Sequence, residues 1–239
     1  MQGRSRIRYA AMSDTGKRDR NEDAFLADRA DGYHVFAVAD GLGGHAGGDV
    51  ASRTAIEILA EAAGEGLPET EPAALLKSAF QRANAAIHDY NLEHRLNAGT
   101  TLSAAIVSDS GRCWIGTVGD SRTHIITPSS VWHTRDQSYV QDLVESGMLS
   151  PAEAMLHPKK NILTQALGLA DRVQVDLDER DLAGAVLVVS SDGLHDYVPA
   201  RAIQGIVTTN DPETACRRLI DAAKDAASTD NITAIVARF

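Results

Sequence analysis

Residues 33–44 read YHVFAVADGLGG. The run 33–39 is almost wholly apolar and too short for an ordinary helix, the pattern of a strand buried on both faces. It ends in a glycine-rich turn that opens with Asp40. Downstream, Ala51, Ala55, Ile58, Leu59 and Ala62 recur at helical spacing and give a helix with one apolar face. Gly64, Gly66 and Pro68 are expected to stop it. A second helix is predicted over 72–95, with Leu76, Phe80, Ala83, Ile87 and Tyr90 on its inner stripe.

Strands are then predicted at 101–108, 112–118 and 122–127, with Asp109-Ser110-Gly111 as a hairpin turn and a short strand at 130–134. Upstream, 6–13 and 24–28 also read as strands. The segment 137–168 differs, with two short helical patterns, Pro151, His157-Pro158 and Gly168, and reads as a partly helical insertion over one edge. Strands return at 173–178 and 185–190, helices at 199–207 and 212–226, and a last strand at 232–238. Hairpin-linked strands interrupted by helix pairs favour antiparallel sheets with helices outside, an α+β arrangement. With neither repeat nor linker, the expectation is a single domain over residues 1–239.

A formal net charge of −10 argues against a nucleic-acid partner, which would call for a basic footprint. There is no run of about 18 apolar residues to cross a membrane. Met1 to Tyr9 is basic and polar, unlike a signal peptide. Two cysteines, Cys113 and Cys216, suggest neither a disulfide framework nor a thiolate zinc site. A cytoplasmic location is the resulting expectation.

Asp40, Asp120, Asp192 and Asp230 each adjoin an apolar strand beside a small or polar turn residue, and Asn21-Glu22-Asp23 precedes the strand at 24–28. Aspartates at strand ends often only start turns. Brought together by folding, however, these groups would repel one another and be costly to bury unpaired. Divalent cations would offset that cost, and an all-oxygen set favours Mg²⁺ or Mn²⁺ over zinc. Two such ions could share a carboxylate and a water, lower its pKa and place hydroxide in line with phosphorus. Gly41, without a side chain, lets its carbonyl approach a metal. Arg18 lies three residues before Asn21, and a guanidinium can grip two phosphate oxygens; Lys17 and Arg20 compete with it by position.

These residues resemble the PP2C-type (PPM) metal-dependent protein serine/threonine phosphatases in their compact bacterial form. The matching segments are Gly16 to Asp23, Asp40 to Gly44, Gly99-Thr100-Thr101, Gly119 to Arg122, Ser191 to Leu194 and Asp230 to Thr233, in the family's order. The resemblance implies a four-layer α-β-β-α sandwich of two antiparallel sheets flanked by helix pairs, with 137–168 as a flap. It implies that Asp40 bridges two metals, that Gly41 offers its carbonyl, and that Asp192 and Asp230 complete the first metal's shell. Glu22 and Asp23 would hold metal-bound waters, Arg18 would bind the substrate phosphate, and Asp120 with Asp192 would form a weaker third-metal site.

The implied activity is one-step hydrolysis of phosphoserine and phosphothreonine on proteins by a metal-bridging hydroxide, opposite a eukaryotic-like bacterial kinase. The expected protein is a monomer without sensor or anchor. Some family members carry histidine after the Asp-Gly pair, proposed as a general acid; here that position is Leu42, and His45 is a candidate substitute. His157 is expected to pack or cap within the flap, while His133 and His195 show no partner at this level. Cys113 sits within a strand pattern without a phosphate loop, which argues against a cysteine nucleophile.

Overall fold

The computed structural model describes residues 7–43 and 47–239. His45 lies outside the described residues. One sheet has the order β1 (Arg8–Asp14), β11 (Ile232–Arg238), β10 (Val186–Ser190), β7 (Arg122–Ile126), β8 (Val131–His133). The other runs β2 (Asp23–Ala30), β3 (Tyr33–Leu42), β5 (Leu102–Ser108), β6 (Arg112–Val118), β9 (Asp176–Asp181), with β4 (Gly99–Thr100) paired to β3. All these pairings are antiparallel. Helices α1 (Gly48–Gly66) and α2 (Pro72–His94) pack on the second sheet, and α6 (Ala200–Thr209) and α7 (Pro212–Asp225) pack on the first.

Strand alternation sorts the apolar residues into three layers. On β3, Val35, Ala37 and Ala39 face α1 and α2, whereas Phe36 and Val38 point between the sheets. On β11, Ile232, Ala234 and Val236 face α7, whereas Ile235 and Ala237 point between the sheets. Both central strands are therefore buried on two faces, which is why they read as unbroken apolar runs. The α-β-β-α expectation holds.

Several boundaries differ from the sequence reading. β3 does not end at residue 39 but continues through Asp40 and Gly41 to Leu42, because Gly41 and Leu42 pair with β4. Gly64 lies inside α1, which runs to Gly66. β9 is the charged segment Asp176–Asp181 rather than 173–178. Val173 and Val175 pack against the helix-side core outside the strand, and the ladder to β6 is made by their polar neighbours. A four-residue helix, α5 (Asp192–His195), follows β10 directly.

Within 137–168 lie α3 (Tyr139–Glu145) and α4 (Pro151–Leu156). Ser150 and Glu153 form a capping box that starts α4, immediately before its first-turn proline. The segment is fixed at both ends. The Gln137 backbone N–H donates to Gly119 O at 2.9 Å, and Thr100 and Leu167 exchange backbone bonds of 3.1 and 2.9 Å. Lys160 reaches across to Asp196 at 2.7 Å.

Candidate active site

The strand register brings the acids to one end of the sandwich. Asp40, near the end of β3, lies directly opposite Asp23, the first residue of β2. Asp192 opens α5 where β10 stops, and Asp230 precedes β11, the neighbour of β10. Asp120 sits in the turn between β6 and β7. Asp40, Asp120, Asp192, Asp230, Glu22 and Gly41 all line one cleft of about 480 Å³. Lys17, Arg18 and Arg20 also line it, and Asn161 and Leu163 of the 137–168 segment contribute a wall.

Asp23 lies behind this surface. Its Oδ2 accepts from Thr233 Oγ1 at 2.6 Å and from Ser191 Oγ at 2.8 Å, while Oδ1 is buried without a donor among the described residues. Burial pushes the Asp23 carboxyl up to about 6 against the pull of those two hydroxyls. Burial, followed by the charges of Asp196, Asp230 and Asp23, pushes Asp192 up to about 7, and its Oδ1 also lacks a donor. Asp40 and Asp120 are raised well above the ordinary carboxylate range, first by burial and then by neighbouring aspartates.

The backbone of Asp40 is held by β4 and the residue after it. Thr100 Oγ1 and Thr101 N both donate to its carbonyl at 2.9 Å, and its N–H donates to Thr101 Oγ1 at 3.0 Å. Arg18 is the only one of the three cleft cations that forms an ion pair among the described residues. It donates to Asp230 Oδ2 at 2.7 Å, and that bond raises the guanidinium pKa further.

This donor set suits hard divalent cations. It is all oxygen, it has two orphaned carboxylate oxygens, and it holds several acids whose ionisation awaits positive charge. The acids ring the cleft without closing into a finished cage. Among the described residues no three His, Cys, Asp or Glu side chains are arranged to hold an ion as they stand.

The other singled-out residues fall elsewhere. His157 ends α4, and its Nδ1 accepts from Lys159 N at 3.1 Å, as expected of a cap. His133 and His195, without partners in the sequence reading, both acquire them. His133 Nδ1 lies 2.7 Å from Thr134 O, and His195 Nδ1 lies 3.0 Å from Ser190 Oγ. Cys113 and Cys216 are buried, which raises both thiols and leaves them poor nucleophiles. The sequence reading gave Ser191, Thr233, Thr100 and Thr101 no roles, although each falls inside a segment that carried the resemblance.

Comparison with known proteins identifies relatives of the same fold. The serine/threonine phosphatase Stp1 from Staphylococcus aureus superposes with a TM-score of 0.92 at 31% identity, over 98% of this chain and 96% of that one. The catalytic domain of the serine/threonine protein phosphatase PstP, in complex with two manganese ions, superposes with a TM-score of 0.86 at 33% identity, over 97% of each chain. The Protein phosphatase 2C profile matches residues 13–209, and the chain belongs to that family. The curated PstP of Mycobacterium tuberculosis is 35% identical over 240 residues, covering 97% of this chain. The chain spans 45% of that relative's length.

Proposed function

We propose that this chain hydrolyses phosphoserine and phosphothreonine on proteins with the help of two divalent cations, Mn²⁺ or Mg²⁺. The observation that carries this reading is the convergence of Asp40, Asp192, Asp230, Asp120 and Glu22 with Arg18 on one cleft. The Mn²⁺-bound PstP relative supports the cation pair. Asp40, the Gly41 carbonyl, Asp192 and Asp230 would hold the two ions. Glu22 and Asp23 would order their waters, and Asp120 with Asp192 would take a weaker third. Bound there, such ions make a water acidic enough to attack at neutral pH and neutralise charge on the phosphoryl oxygens.

The chain's own groups do the rest. Arg18 turns from Asp230 to the phosphoryl oxygens and fixes their orientation. Ser191 and Thr233 hold Asp23 in place. Leu42 has no proton to give the leaving group, so a water in the cleft or His45 would supply it. The wall formed by Asn161 and Leu163 gives the 137–168 segment access to the residues flanking a phosphorylated side chain. We read it as a flap of a single 1–239 domain, one that contributes to choosing the protein substrate.

Two buried free thiols fit a reducing, cytoplasmic setting. The described residues include no helix long and apolar enough to cross a membrane. The short strand β8 and the charged strand β9 at two sheet edges discourage edge pairing and support a monomer. A Ser/Thr kinase or its targets are the expected source of substrates.

The test is release of phosphate from a phosphothreonine peptide with Mn²⁺. A chelator should abolish it, and Asp192→Asn should lower it by at least about a hundredfold. Undiminished turnover by that variant sinks the metal reading. Faster hydrolysis of sugar phosphates than of phosphopeptides sinks the protein-substrate reading.

A further inference from the structure

Asp230 and Asn231 are neighbours with different tasks. Asp230 meets the Arg18 side chain, whereas Asn231 meets the backbone that carries it. Asn231 is 4% exposed. Its Nδ2 donates to Thr15 O at 2.9 Å and to Arg20 O at 2.8 Å. Its Oδ1 accepts from the Glu22 N–H at 2.8 Å. One planar amide thus grips three backbone groups that lie more than 200 residues away in sequence and bracket Lys17, Arg18 and Asp19. Two carbonyls and one N–H admit only one orientation of the amide, so the assignment of O and N is fixed by the partners.

We propose that Asn231 is a positioning residue, a clamp that closes the 15–22 loop at both ends and so sets where the Arg18 guanidinium stands in the cleft. No other residue type matches it well. Aspartate would face the Thr15 and Arg20 carbonyls with charge instead of donors, alanine would leave all three groups unpaired in a buried place, and glutamine is one carbon too long. Gly16 shows how tightly the loop is seated. A Cβ there would stand 2.0 Å from Asp230 O, so the loop lies directly on the Asp230–Asn231 backbone. Freed from the clamp, the loop would let Arg18 sample many positions, and the substrate phosphate would lose a preformed partner.

The kinetic arm of the test rests on the phosphatase reading; the proteolytic arm does not. Asn231→Asp keeps the acceptor for Glu22 but sets a carboxylate oxygen against the Thr15 and Arg20 carbonyls in place of the two donors, and Asn231→Ala removes all three bonds without adding charge. Trypsin cuts after Lys17, Arg18 and Arg20 report loop opening, with cuts elsewhere as the internal reference. Both variants should be cut within 17–20 at least tenfold faster than the parent. Under saturating Mn²⁺, Asn231→Asp should raise KM for a phosphothreonine peptide at least tenfold with kcat within threefold. On an Arg18→Ala background the same substitution should change KM less than twofold, because the clamp acts through Arg18.

Unchanged cutting within 17–20 overturns the proposal. So does an equal KM factor in both backgrounds. Loss of a cooperative thermal transition in both variants also overturns it, since the amide would then support the whole fold. If the parent does not hydrolyse the peptide, the phosphatase reading fails, and the trypsin cuts alone decide whether the loop is clamped.

Discussion

Arg18 donates to Asp230 Oδ2 at 2.7 Å, so a cleft cation is paired with one of the carboxylates assigned to a metal ion. The Arg18 side chain is 56% exposed and that of Asp230 28%, and a pair this wet is worth at most about 1 kcal/mol. Removing Arg18 should therefore improve Mn²⁺ affinity by no more than about fivefold. The loss on the substrate side should be larger, because a charge-assisted bond to phosphate contributes about 1.5–3 kcal/mol. Arg18→Ala should raise KM for a phosphopeptide by roughly ten- to a hundredfold. Arg18→Lys should recover only part of it, having no planar fork. Steady-state kinetics and a Mn²⁺ titration on the same preparations separate the two effects.

The raised acids make the metal-free protein pH-sensitive with a definite sign. Unfolded, Asp23 and Asp192 lose their protons near 3.8; folded, they keep them to about 6 and about 7. Over that window the native state binds more protons than the unfolded chain, so stability falls as pH rises. Asp40 and Asp120 extend the trend in the same direction. The chelated protein should lose Tm between pH 6.5 and 8, and saturating Mn²⁺ should remove that loss by favouring the ionised forms. Asp192→Asn should flatten part of the chelated decline. A chelated Tm that rises over this interval contradicts the burial of these carboxyls.

Much of the fold was legible because period-2 and period-3.6 patterns are local. The bounds 112–118 and 232–238 match β6 and β11 without change. The acids were legible for a related reason, since an acidic residue directly against a buried strand and a small or polar turn residue is visible in a few residues. What escaped depends on distant partners. Nothing near Asn231 says that its amide will meet Thr15, Arg20 and Glu22, and nothing near Ser191 says that it will meet Asp23. Such roles are fixed by how β2, β10 and β11 align, and a polar side chain carries no periodicity to announce it. α5 escaped because four residues are too few for a repeat, and β9 because the valines before it mimic a strand.

Two buried histidines should contribute to the loss of stability in acid. His124 Nε2 lies 3.2 Å from Ser190 Oγ, and Ser190 Oγ lies 3.0 Å from His195 Nδ1. Burial pushes both imidazoles well below their ordinary pKa. Below about 6.5 the unfolded chain gains protons there that the native state refuses, so their contribution to stability falls as pH drops. The acids work the other way over the same range, so the informative comparison is a variant. His195→Asn removes one titrating ring. The stability gap between parent and variant should shift by up to about 1.4 kcal/mol per pH unit between 6.5 and 5, to the variant's relative advantage. Urea unfolding at a series of pH values measures it, and a gap independent of pH rules out a neutral buried His195.

Glycines at the site should respond to substitution differently from one outside it. A Cβ on Gly193, in α5, would stand 1.9 Å from Asn231 O, a backbone atom that no rotamer can move aside. The turn bearing Asp192 and the segment bearing Asp230 would have to separate, so Gly193→Ala should cost about 1–3 kcal/mol and weaken Mn²⁺ binding together. Gly64 is the control. It lies within α1, and a Cβ there meets nothing within 4 Å. Alanine is the better helix former by about 0.5–1 kcal/mol, so Gly64→Ala should stabilise by that amount and leave Mn²⁺ binding alone. Urea unfolding and Mn²⁺ titration of both variants give the comparison. If Gly193→Ala loses stability with unchanged Mn²⁺ affinity, the close approach of those two backbones does not set the distance between Asp192 and Asp230.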